Sequence, residues 1–220
     1  MSIFWPREPL RAYTSVSVFP MPADDPSPDV LERLERAEQL KIDGKYAEAL
    51  SILEELLLED PENVSALEEV ADNELSLEQY QRSEAAAKQA VALDQESYTG
   101  HYILGFLRSR TELWEEAVKH LQTANTLKSN NAEILRCLGW ALFHSGKRVQ
   151  GIVTLERALN LDRDSSLTLC DLGVAYLEVQ NFIKCRALLQ RALDVDPGNE
   201  RARECLRMAE RMEKMGAAKK

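Results

Sequence analysis

The run Leu172-Gly173-Val174-Ala175-Tyr176 decides the reading of this chain. A glycine stands inside an apolar stretch of helical period, where it costs helix propensity and so needs a packing reason. Stepping outward by 34 residues finds a small residue each time, at Gly139, Gly105, Ala71 and Ala37. Before each of the later ones stands an apolar residue: Val70, Leu104, Leu138 and Leu172. Twelve residues after each small residue comes a second set of mostly small side chains: Ala49, Ser83, Ala117, Gly151 and Cys185. Nineteen after come Leu56, Ala90, Ala124, Ala158 and Ala192. A fixed period of this length marks a repeat architecture.

Each period holds two apolar stretches of helical spacing separated by a turn. Asp43-Gly44-Lys45 and Ser145-Gly146-Lys147 are such turns, with glycine where a helix must end. The small residues let two helices approach closely. No single helix pair buries its own apolar face, so neighbouring pairs must stack.

The pattern resembles the tetratricopeptide repeat, whose motif reads Leu-Gly-x-x-Tyr, then Ala-x-x-x-Phe, then Ala, then Pro. Leu172-Gly173 with Tyr176 matches the first part, and Leu104-Gly105 and Leu138-Gly139 match it in part. Ala49 with Leu53, Ala117 with Leu121 and Cys185 with Leu189 stand for the second, and Pro61 and Pro197 close it. The resemblance implies an all-α fold, a right-handed α-solenoid of antiparallel helix pairs. It divides the chain into a leader over 1–29, five repeats (30–63, 64–97, 98–131, 132–165 and 166–199), a capping helix over 200–215 and a flexible tail over 216–220.

The leader differs in composition. Six of the eight prolines lie in it, which forbids a long helix, yet it carries Phe4, Trp5, Tyr13 and Phe19. It is read either as an extended segment or as one that docks on its own solenoid or on a second copy, giving a homodimer.

The formal charge of -10 is unevenly spread. Residues 30–97 hold 18 Asp and Glu against 6 Lys and Arg, while residues 98–220 hold 15 against 19. The acidic half argues against nucleic acid as a partner. No apolar run is long enough to span a membrane. Cys137, Cys170, Cys185 and Cys205 form no paired spacing and fit reduced thiols in a cytoplasmic protein.

The sequence contains no phosphate-binding glycine loop, nucleophile elbow or zinc-protease motif. His101, His120 and His144 are scattered, and the acid pairs Glu54-Glu55 and Glu68-Glu69 read as solvated helix faces. Neither an enzyme nor a metal or cofactor site is expected.

In the family the first helix of each repeat lines a concave surface. Carried over by phase, that surface holds Tyr102, Phe106 and Arg110 in the third repeat, Arg136, Trp140, Phe143 and His144 in the fourth, and Cys170, Val174 and Leu177 in the fifth. The two-carboxylate clamp with which some members grip acidic chaperone tails is not matched. Its positions hold Leu34, Glu38 and Glu69, then Glu68, Asp72 and Ile103, while Arg136 stands with Trp140 and Asp171. The resemblance therefore implies a protein-interaction adaptor or assembly factor that holds a peptide or helix with apolar anchors and a basic flank. A chaperone for secreted or membrane-bound clients, or a groove filled by the leader, are the alternatives.

Overall fold

A computed structural model describes residues 28–217, so the leader's Phe4, Trp5, Tyr13 and Phe19 and the last three residues lie outside it. Eleven helices run through the described residues: α1 (Pro28–Ile42), α2 (Tyr46–Glu59), α3 (Val64–Ser76), α4 (Tyr80–Leu93), α5 (Tyr98–Arg110), α6 (Trp114–Leu127), α7 (Ala132–His144), α8 (Arg148–Leu161), α9 (Ser166–Glu178), α10 (Phe182–Val195) and α11 (Glu200–Ala217). No strand occurs among them.

The same capping chemistry returns every 34 residues. Asn63, Ser97, Asn131, Ser165 and Asn199 precede α3, α5, α7, α9 and α11, and each side-chain oxygen accepts from a backbone N–H three residues on. That satisfies a donor that the first turn would otherwise leave orphaned. The first helix of each pair ends in a reverse turn with two backbone bonds. After α1, Lys45 N donates to Leu40 O and Gly44 N to Lys41 O, and the set repeats after α3, α5, α7 and α9. The left-handed residue in that turn is Gly44, Glu78, Glu112, Gly146 or Gln180, with φ between 59° and 88°.

The chain divides into two compact units at Leu107 and Arg108. In the N-terminal unit α1 packs on α2, α2 on α3 and α3 on α4. Its core runs through Leu34, Leu53, Leu56, Leu75, Ile103 and Leu107. In the C-terminal unit α6 packs on α7, α7 on α8, α8 on α9, α9 on α10, and α11 on both α9 and α10. Leu121, Leu135, Leu155, Leu169, Leu172 and Leu189 are fully buried there. Each such leucine contributes roughly 1.5–3 kcal/mol.

The small residues set the spacing within a pair. A Cβ on Gly151 would lie 2.6 Å from Phe143 N and 2.7 Å from Gly139 O, so α7 and α8 meet backbone to backbone. Ala37, Ala71, Ala117, Ala158 and Ala192 are likewise fully enclosed. Stacked helix pairs of this kind define an α-solenoid.

Candidate protein-binding surfaces

Helices α1 and α3 of the N-terminal unit carry an acidic cluster, and α5 carries an aromatic pair that repeat phase assigns to the same face. Glu38, Glu68, Glu69 and Asp72 are half-buried in that cluster, with Lys41 among them. Lys41 Nζ lies 2.7 Å from Glu69 and 3.0 Å from Asp72. Burial opposes the lysine's charge, but Asp72 and Glu69 outweigh it and hold its pKa above the ordinary value. Burial pushes the Glu69 carboxyl up, and Lys41 offsets this only in part. Ser97 Oγ donates to Glu68 at 2.5 Å. Tyr102 and Phe106 project one turn apart from α5, with ring centroids 6.4 Å apart and planes tilted by 43°. Both rings pack against the core of this unit yet stay half-exposed.

The corresponding helices of the C-terminal unit carry a different arrangement. Arg136 is 2% exposed, and its Nη1 donates to Asp171 Oδ2 at 2.7 Å. Its Nε and Nη2 donate to the two oxygens of Glu133 at 2.8 and 2.5 Å. Arg201 comes from the first turn of α11 and donates from Nη1 to Asp171 Oδ1 at 2.6 Å. One buried carboxylate thus joins two guanidinium groups from α7 and α11. Burial disfavours both charges, but Glu133 beside Arg136 and Asp171 beside Arg201 keep both pKa values raised. The Arg201 guanidinium lies 4.8 Å from the Trp140 ring centroid. The His144 ring stands 4.3 Å from Trp140, edge to face, and stacks at 4.8 Å on Trp114. Burial lowers the His144 pKa, which keeps the imidazole neutral in this aromatic nest.

These contacts correct part of the sequence-based groove. Arg136, Trp140, Phe143, Cys170, Val174 and Leu177 are 0–4% exposed and form interior rather than open surface. The cause is local packing: α7 meets α9, α11 packs on α9, and Asp171 draws both arginines inward. Tyr102, Phe106, Arg110 and His144 remain half-exposed. Tyr102 and Phe106 belong to the N-terminal unit, and Arg110 and His144 to the C-terminal one. The paired role of Asp171 and Arg201 is not evident from repeat phase. The signal for it is an acid in the apolar run Leu167-Thr168-Leu169-Cys170-Asp171-Leu172, because such an acid needs a buried cation.

All four cysteines are buried and unpaired. Burial pushes Cys170 up to about 12 and Cys185 up to about 11, so both stay protonated and act as packing residues. No helix among the described residues is long and apolar enough to cross a membrane.

Comparison with known proteins agrees with this architecture. The sequence profile of the tetratricopeptide repeat matches residues 43–98. Anaphase-promoting complex subunit 3 of Schizosaccharomyces pombe is 23% identical over 131 residues, which cover 60% of this chain and 20% of that protein. This chain thus spans about a fifth of that relative's length. Among solved structures, YrrB, described as a TPR protein with an unusual peptide-binding site, superposes with a TM-score of 0.59 at 21% identity, covering 78% of this chain and 89% of that one. TTC0263, a thermophilic TPR protein of Thermus thermophilus, gives 0.62 at 23% identity, with 81% and 97% covered. The Cut9–Hcn1 hetero-tetramer of the APC/C gives 0.74 at 18% identity, with 84% and 37% covered. Identities this low establish the fold.

The helix pairs, their period and these likenesses define an all-α solenoid. Its 34-residue helix-pair repeats are similar to tetratricopeptide repeats.

Proposed function

We propose that this chain is an interaction adaptor that holds an extended or helical segment of another protein against the α1–α3–α5 face. The observation that carries the reading is the half-exposed Tyr102–Phe106 pair, which repeat phase assigns to the same face as the half-buried Glu38, Glu68, Glu69 and Asp72. Aromatic rings held by a rigid core provide anchor area at low entropic cost, and they are favoured as binding hot spots. Lys41 neutralises only part of the acidic cluster, so the ligand would combine an apolar anchor with a basic flank. The four protonated, unpaired thiols favour a reducing compartment and hence the cytoplasm. The buried Arg136–Asp171–Arg201 network has a structural part in this reading: it ties α7, α9 and α11 together.

The test is a Tyr102→Ala/Phe106→Ala variant. Partners recovered by affinity capture with the wild-type chain are purified and their binding to both forms measured, with helicity checked by circular dichroism. Loss of roughly 2 kcal/mol, about thirty-fold in affinity, is expected. Binding should also weaken as salt is raised from about 0.1 M to about 1 M, where the screening length falls from ~10 to ~3 Å. Equal affinity for the two forms would refute the reading.

A further inference from the structure

The N-terminal unit carries a second feature, outside the α1–α3–α5 face. A cleft of about 490 Å³ opens between α2 and the turn joining α3 to α4, with Glu54, Glu74 and Arg82 along it. The Glu74 side chain is only 1% exposed, yet neither of its oxygens accepts a hydrogen bond. Arg82 Nε lies 2.9 Å from Glu74 Oε1 but is too poorly aligned to donate to it. The same guanidinium does donate, from Nη2, to Glu54 Oε1 at 2.7 Å. One arginine, itself 61% exposed, is therefore shared by two carboxylates, and Glu74 Oε2 has no partner. Burial raises the Glu74 pKa, with Arg82 opposing and Glu54 adding.

The repeat provides its own comparison. Three periods further on, Glu156, Tyr176 and Lys184 occupy the positions of Glu54, Glu74 and Arg82. There the Tyr176 hydroxyl donates to Glu156 at 2.6 Å and accepts from Lys184 at 2.9 Å. A neutral group bridges one acid and one base, and every polar atom of the bridge is used. In the second repeat a carboxylate replaces the phenol, so the set carries an excess negative charge and lacks a ring to fill the space. Ala47 and Ser51 also stand where Val149 and Val153 stand later, which lowers the wall of the cleft.

We propose that this cleft receives an arginine side chain from a partner protein, with the incoming guanidinium held by Glu74 Oε2 and Glu54. A planar guanidinium matches the two-oxygen edge of a carboxylate and is more weakly hydrated than an ammonium, which suits a nearly dry acceptor. Leu50 and Leu77 line the cleft and offer apolar surface to the arginine stem. The site uses no residue of the α1–α3–α5 face, so either can fail without the other.

The test is a titration of the isotope-labelled full chain with Nα-acetyl-arginine amide, following amide and glutamate carboxyl resonances. Saturable shifts confined to residues around Glu54, Glu74 and Arg82 are expected, with a dissociation constant on the order of 1–10 mM. Glu74→Gln should weaken binding at least ten-fold. Glu74→Tyr, which copies the fifth repeat, should abolish it while circular dichroism stays unchanged. Tyr176→Glu should create a second saturable site beside Glu156 and Lys184. Equal shifts from the uncharged Nα-acetyl-citrulline amide, or unchanged binding in folded Glu74→Gln, would overturn the proposal.

Discussion

Asp171 is the residue on which the C-terminal unit depends most. Its two oxygens serve two guanidinium groups, 35 and 30 residues away in sequence, and its side chain is 1% exposed. Asp171→Ala would leave two buried cations short of an acceptor and should cost ~3–5 kcal/mol in urea unfolding. Arg136→Met, which removes one cation and leaves Asp171 paired with Arg201, should cost clearly less. Glu74 gives the opposite sign. A carboxyl that binds its proton more tightly in the fold stabilises it when protonated. That contribution is complete below the unfolded pKa of about 4.3 and is lost as pH rises through the raised folded value. Glu74→Gln, a permanently neutral stand-in, should therefore be more stable than wild type at pH 7 and lose that advantage near pH 4. A gain that is equal at both values would contradict the assignment. Neither residue's role was legible in the repeat phase, because each depends on which side chains of adjacent repeats turn inward to meet it.

At the scale of the helix pair, most of the fold was legible. The 34-residue period, the small residues at Ala71, Gly139 and Gly173 and the turns at Gly44 and Gly146 all act in the structure as their chemistry requires. What the sequence hid is that Glu78, Glu112 and Gln180 adopt the same left-handed turn without glycine's freedom. Packing of the two flanking helices fixes the turn and overrides local preference. Replacing Glu78 or Gln180 with glycine should thus raise stability by about 1 kcal/mol each, measured by thermal unfolding. Gly151→Ala should do the reverse, at about 1–3 kcal/mol. Its Cβ would meet backbone atoms of Gly139 and Phe143, which cannot swing aside as a side chain can. The groove was legible only in part. Repeat phase puts Tyr102 and Phe106 on a first-helix face, and both stay half-exposed, but phase alone does not tell an open face from one closed by α9 and α11.

For the whole molecule, stability in a repeat array is close to a sum of local and nearest-neighbour contributions. Damage should stay near its source. Asp171→Ala should therefore lower native-state hydrogen-exchange protection across α7 to α11 more than across α1 to α4, and uniform loss would argue for a single cooperative block. The charge distribution acts at this scale too. Residues 30–97 carry 12 more acids than bases, so basic partners should be steered toward the N-terminal unit. The measurement that tests the central claim most directly is site-specific photo-crosslinking to the captured partner. A benzoylphenylalanine is placed at position 106 on the α1–α3–α5 face, or at position 58, where Leu58 is 84% exposed on α2. The account predicts a crosslink from position 106 and none from position 58. A partner that crosslinks at 58 and not at 106 would contradict it.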